Sequence, residues 1–170
     1  MSVTALLLFL LLKPGLYATL DTPEGKITFE LYEKYTPKSV LAFARLAQPP
    51  RLHFNGATFH RIIREEMIQA GGKECGLRIR DEVLPGLRFD RPGRVAMANA
   101  GPDTGGCEFF ITSGVVSRWN NLYSIFGQVV EGQDVVDRIN KSRLEGERPL
   151  HPVTINSVRL FRTYTQPPAQ

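Results

Sequence analysis

The sequence predicts a mainly β single domain, an antiparallel barrel or closed sheet with two helices at its ends. Three observations lead there. Fifteen Gly and twelve Pro in 170 residues demand many turns and therefore short strands. Most apolar residues fall in short alternating runs, and only two stretches carry helical spacing. A chain of this length with 42% hydrophobic and 22% charged residues has the composition of one soluble domain with a real core. Periodicity alone leaves a sandwich open as the other arrangement.

Taken in order, the chain starts with an apolar segment, residues 1–13. Val3 to Leu12 is interrupted only by Thr4, which is too short to span a bilayer, a task needing ~20 residues, but long enough for the apolar part of an export signal. No positive charge precedes it, and Leu16-Tyr17-Ala18 is a poor cleavage site. The choice between an export or tethering segment and a structured extension stays open, and with it a cytoplasmic location or export to the cell envelope. Residues 14–163 are expected to form the domain. Two β-prone runs, Tyr17 to Thr22 and Lys26 to Tyr32, flank a Pro23-Glu24-Gly25 turn and read as a hairpin. Thr36 as N-cap and Pro37 at the first position open a helix whose Val40, Phe43, Ala44 and Ala47 recur on one side, ending before Pro49-Pro50.

Phe59 to Gly72 follows, with Phe59, Arg61 and Ile63 on one face of a strand and His60 and Ile62 on the other. Further strands are predicted at Val95 to Ala98, Glu108 to Thr112, Ser124 to Val130 and Val153 to Leu160. A second helix is expected near Asp134 to Asn140, with Val135, Val136 and Ile139 inward. Residues 164–170 are expected to be a flexible tail.

Composition also removes function classes. The formal net charge of +4 comes from scattered basic residues without interleaved stacking aromatics, so no nucleic-acid partner is expected. His53, His60 and His151 have no metal-ligand spacing with one another or with the cysteines, and no metal or other cofactor is called for. Cys75 and Cys107 make no Cys-x-x-Cys pair and are expected as free thiols. Nucleophile elbow and phosphate loop are missing from the sequence, and Gly71-Gly72 and Gly105-Gly106 read as turn glycines.

What remains is Arg61, a cation in an apolar strand that needs water, a partner or a ligand. With it go Met67, Gln69, Asn99, Phe109-Phe110 and Trp119. The ordered motifs Phe-His-Arg-Ile-Ile, Met-Ile-Gln, Met-Ala-Asn-Ala-Gly-Pro-Asp-Thr-Gly-Gly, Phe-Phe-Ile-Thr and Phe-Gly-Gln-Val-Val-Glu-Gly resemble those of the cyclophilins, peptidyl-prolyl cis-trans isomerases. The resemblance runs from about Tyr17 to Phe161. It implies a closed eight-stranded antiparallel barrel capped by two helices, a monomer that assists protein folding, and proline-containing polypeptides as partners. By motif, Arg61, Gln69 and Phe110 match the catalytic group. Met67 shares with Phe110 the apolar floor that receives the proline ring. Ala98, Asn99 and Ala100 match the segment lying along the peptide, and Trp119 and Tyr123 fall near the far wall.

An arginine suits such chemistry because the rotating amide nitrogen regains its lone pair, and a guanidinium in an apolar pocket stabilises that twisted state preferentially. The sequence departs from the family at Arg64-Glu65-Glu66, where Glu66 replaces a pocket phenylalanine, and at Glu108, where glutamine is usual. Both acids are candidates for the substrate wall, with two carboxylates pointing to solvent at the rim as the alternative, since charged side chains are rarely buried unpaired. A Glu108 ion pair with Arg61 would hold the guanidinium away from the amide. The alternative function is then a weakly active or inactive cyclophilin-fold module that binds proline-containing peptides.

Overall fold

The computed structural model describes residues 12–72 and 74–164. Nearly all of the expected 1–13 segment and 164–170 tail lie outside the described residues. The element order is β1 (Gly15–Thr22), β2 (Gly25–Leu31), α1 (Pro37–Ala47), β3 (Phe59–Ile63), β4 (Met67–Gly71), β5 (Arg94–Met97), β6 (Glu108–Thr112), a 3-10 turn (Ser117–Trp119), β7 (Ile125–Glu131), α2 (Gln133–Asn140), the two-residue strands β8 (Leu144–Glu145) and β9 (Arg148–Pro149), and β10 (Ser157–Thr163).

Eight strands form one antiparallel sheet in the order β10-β1-β2-β7-β5-β6-β4-β3. It curls strongly, as sheets do when short twisted strands and bulges follow one another. The two edge strands do not pair, so the ladder itself is not closed. Residues 147–155 bridge the seam: Ile62 N–H donates to Glu147 O (2.8 Å), Phe59 N–H to Val153 O (2.9 Å) and Ile155 N–H to Ala57 O (2.7 Å).

Period-two alternation sorts side chains to the two faces. Val95, Met97, Phe109, Ile111, Ile68 and Phe126 point into the barrel, where Phe43 of α1 meets Phe29, Phe54, Phe109 and Phe126 at ring separations of 5.0 to 5.6 Å. Val135, Val136 and Ile139 of α2 join the same core. The intervening Met67, Ala96, Phe110 and Ile125 form a second buried cluster on the outer face, with Phe89 and Val116.

Besides the expected closure of the barrel, which the unpaired edge strands correct, four sequence expectations change. A bulge between Phe59 and Arg61 breaks the alternation, because two residues of β3 there oppose one of β4. Phe59 therefore joins Ile62 in the core, while Arg61 and Ile63 face outward. Thr36 makes no capping bond to the helix; Glu82 accepts from Lys38 N–H (3.0 Å) and Ser39 N–H (2.8 Å) in its place, putting a carboxylate at the positive end of α1. The last strand is Ser157–Thr163, because Val153 and Ile155 are used in the seam. Finally, Cys75 and Cys107 form a disulfide, with Cα atoms 5.4 Å apart. Motif spacing carries no information about two cysteines brought together across 32 residues.

Candidate functional site

The outer face holds a cleft of ≈ 560 Å³. Its axis is a row of cross-strand partners: Arg61 faces Gln69, Gln69 faces Phe110, and Phe110 faces Ala96. One strand step along lie Ile63 and Met67, also paired. Directly opposed residues share a face, so sheet register alone delivers a cation, an amide and an apolar floor side by side.

The floor is aromatic. Phe110 packs against Phe89 (5.8 Å, stacked), Trp119 (5.4 Å) and Tyr123 (5.2 Å), the last two edge-on, as ring quadrupoles favour. Met67 and Phe110 are almost fully buried. Along one side runs the Ala98–Asn99–Ala100 segment. Asn99 Nδ2 donates to Leu122 O (3.1 Å), which ties this rail to the loop before β7. Among the described residues no hydrogen bond takes up the Asn99 backbone N–H or C=O, leaving both for a chain laid alongside.

A polar relay crosses the cleft. Glu147 Oε2 accepts from Arg61 Nε (2.6 Å), Arg61 Nη1 donates to Gln69 Oε1 (3.2 Å), and Gln69 Nε2 donates to Glu108 Oε2 (2.7 Å). Glu108 Oε1 in turn lies 3.6 Å from His60 Nε2. The bulge in β3 is what turns both His60 and Arg61 outward to meet these acids. Nη2 of Arg61 has no partner among the described residues, so one pair of fixed donors remains available.

Of the sequence-predicted site residues, Arg61, Gln69, Phe110, Met67, Ala98, Asn99, Ala100, Glu108, Trp119 and Tyr123 line the cleft. One possibility raised for the acids is absent and one expectation is corrected. Glu108 does not pair with Arg61, because Gln69 stands between them in the register and takes a bond from each side. Glu66 does not line the cleft: its carboxylate is ion-paired with Arg118, whose guanidinium lies 5.2 Å from the Trp119 ring and forms the wall. The Arg64-Glu65-Glu66 departure has its own structural use. Arg64 donates to Asn140 O (2.6 Å) and Ser142 O (2.8 Å) at the negative end of α2, and Asn140 Nδ2 returns bonds to Ile63 O and Met67 O.

Sequence reasoning missed Glu147 and Phe89. Neither carries a local signal, since one reaches Arg61 across 86 residues and the other lies beneath the floor in a stretch without alternation. Arg118 was missed as well, although it adjoins Trp119.

At the far end of the cleft, Gly71 and Gly106 let backbones close in. Both have positive φ (+117° and +146°), and a Cβ on Gly71 would sit 2.5 Å from Cys107 O. The disulfide then clamps Cys75 to the start of β6, bringing Leu77 and Arg78 to the cleft margin. Arg78 Nε donates to Asp103 O (2.9 Å).

Comparison with known proteins fits this picture. Residues 17–160 match the model of the cyclophilin type peptidyl-prolyl cis-trans isomerase/CLD family. The chain is 39% identical over 165 residues to peptidyl-prolyl cis-trans isomerase A of Mycobacterium tuberculosis, with 84% of this chain and 91% of that protein covered. It is 39% identical over 152 residues to human peptidyl-prolyl cis-trans isomerase-like 1, covering 84% and 89%. Among solved structures, a Cryptosporidium parvum cyclophilin type isomerase superposes with a TM-score of 0.78 at 27% identity, over 89% of this chain and 98% of that one. The same enzyme crystallised in the presence of the dipeptide Ala-Pro gives a TM-score of 0.78 at 26% identity, over 88% and 99%.

Proposed function

The chain belongs to the cyclophilin-type peptidyl-prolyl cis-trans isomerase family, and from that premise we propose that it accelerates rotation about X-Pro bonds in the cleft around Arg61. The barrier to overcome is the ~18–20 kcal/mol of amide resonance, while the two X-Pro isomers differ by only about 0.5–1 kcal/mol. Binding energy must therefore favour the twisted amide over either planar form.

The observation that carries this reading is the Arg61–Gln69–Phe110 row, a cation held at two of its nitrogens beside an apolar floor. Met67 and Phe110 receive the pyrrolidine ring. Arg61 directs its free Nη2 donors at the prolyl nitrogen as the lone pair returns, and Gln69 steadies the guanidinium. Asn99 exchanges backbone hydrogen bonds with the peptide, Ala98 and Ala100 flank it, and Trp119 and Tyr123 bound the ring on the far side. Glu108 acts through Gln69 and Glu66 through Arg118. The acting unit is a monomer comprising residues 14–163, its clients are proline-containing polypeptides, and the rotation itself uses no cofactor.

Exchange NMR on a short peptide with one Ala-Pro bond tests the proposal. Arg61→Ala should lower catalysed exchange by about 10²–10³, the usual loss for one preorganised donor, with peptide binding altered only a few-fold. Exchange as fast as in the wild type would overturn it.

A second reading has one specific observation behind it. Glu147 lies against Arg61 Nε, and a carboxylate there can restrain the cation, leaving a module that binds proline peptides but turns them over slowly. Under the catalytic reading Glu147 orients Arg61, and Glu147→Gln reduces exchange. Arg61 is 45% and Glu147 54% exposed, so the pair is worth less than about 1 kcal/mol and the change stays within about fivefold. A rise in exchange in the same variant would favour the restraint reading.

A further inference from the structure

The cleft is not the only concave surface. A groove of ≈ 430 Å³ lies next to it, between α1 and the extended segment Leu77–Arg80. Leu41, Ala42, Leu77 and Ile79 make its floor, and Lys38, Arg45, Arg78 and Arg80 surround that floor. No acidic side chain lines it, so four positive charges gather there, as many as the net charge of the entire chain.

These cations have no carboxylate partner among the described residues. The acids closest in sequence are committed elsewhere. Glu82 is spent on the N–H groups of Lys38 and Ser39, while Asp81 and Asp103 accept from each other's backbone N–H (2.9 and 2.8 Å). Lys38, Leu41, Ala42 and Arg45 follow the i, i+3, i+4, i+7 spacing of one helix face. Leu41 is an exposed apolar residue at 50%. An apolar floor with a basic rim that makes no ion pair among the described residues is complementary to a segment carrying both aliphatic and acidic side chains.

Leu77 and Arg78 line both the groove and the cleft, so the two concavities adjoin at that dipeptide. We propose that the groove is a docking extension of the cleft, which takes an acidic, aliphatic stretch of the same polypeptide whose proline is bound at Phe110. This inference rests on the prolyl isomerase reading of the cleft and adds client selection to it. A polynucleotide fits less well, because none of the lining residues has an aromatic ring on which bases stack. The occupant is therefore an acidic peptide segment, with Arg78 at the junction and Arg45 and Arg80 gripping its far part.

Three peptides test this with the full chain: a short Ala-Pro peptide, the same peptide extended by alternating Leu and Glu on either side of the proline, and matching extensions with Gln for Glu. At low salt one acidic extension should bind about three- to tenfold tighter than its Gln counterpart, the size expected of a few screened charge pairs, and the gain should shrink as salt rises. Arg45→Gln/Arg80→Gln should abolish the gain while leaving exchange of the short peptide unchanged. Arg45→Glu/Arg80→Glu should transfer the preference to a Lys-bearing extension.

Equal affinity for Glu and Gln extensions on both sides overturns the proposal. So does a gain that survives Arg45→Gln/Arg80→Gln, or a single-stranded oligonucleotide that binds the groove more tightly than the acidic peptide. Exchange of the short peptide reports on the cleft alone, so loss of isomerase activity and loss of acidic docking are read separately.

Discussion

Phe109 and Phe110 are adjacent, chemically identical and both almost fully buried, yet they belong to different regions of the molecule. Phe109 points into the barrel against Phe43 and Phe54, at 5.4 and 5.2 Å. Phe110 points out, onto the floor of the cleft with Phe89, Trp119 and Tyr123. The interior is closed on every side by apolar packing, whereas the outer cluster leaves one side open. One phenylalanine is consumed by the fold, and its neighbour remains available to a ligand.

The contrast is broken most directly by truncating each ring. Phe109→Ala should cost about 3–5 kcal/mol in a denaturant titration, since the cavity is walled by rigid rings. Phe110→Ala opens onto an existing cleft and should cost less, about 1–3 kcal/mol, while weakening proline-peptide binding. Equal destabilisation by the two variants would show that the outer cluster is as structural as the core.

The clamp at the cleft's far end sharpens the comparison next. Replacing both Cys75 and Cys107 with Ala should lower stability by about 2–4 kcal/mol, as expected for a loop of some thirty residues. Because the clamp borders the outer face, the same variant should change peptide binding at the Leu77–Arg78 margin more than it changes the signals of Phe43 or Phe54.

The smallest effect concerns charge at the edge of the outer cluster. Arg91, and then Arg94, hold the Asp90 carboxyl down at a pKa of about 2. A depressed carboxylate stabilises the fold above its unfolded value, near 3.9, and that contribution disappears as pH falls through about 2. Asp90 is 43% exposed, so screening limits the term to less than about 1 kcal/mol. Stability of the wild type should fall from pH 5 to pH 2 slightly more than that of Asp90→Asn, and parallel curves would discard the linkage.

Which features are readable in the sequence follows the same division. Alternation shows which strand residues share a face, so Met67 and Gln69 fall together, and the Phe-Phe-Ile-Thr motif brings Phe110 to them. It fails at Phe59, where the bulge inserts a residue and reverses the side on which the ring falls. Contacts between distant parts of the chain leave no trace in local pattern. Glu82 capping α1 from 43 residues away, Glu147 touching Arg61, and Cys75 joined to Cys107 each depend on how loops return across the sheet. Glu66 and Glu108 stand out in the sequence as departures from the family pattern, but their partners, Arg118 and Gln69, are fixed only by three-dimensional register.

The seam between the edge strands has a kinetic meaning. Glu147 gives its backbone carbonyl to Ile62 N–H and its carboxylate to Arg61, on consecutive residues of β3. Local opening of the barrel at that edge therefore also withdraws Glu147 from the guanidinium, whereas the half-exposed side-chain pair breaks by rotation alone and far more often. Deuterium uptake at the Ile62 amide would report how often the backbone joint carrying Glu147 opens, and so how often the site loses the support from which its acid reaches Arg61.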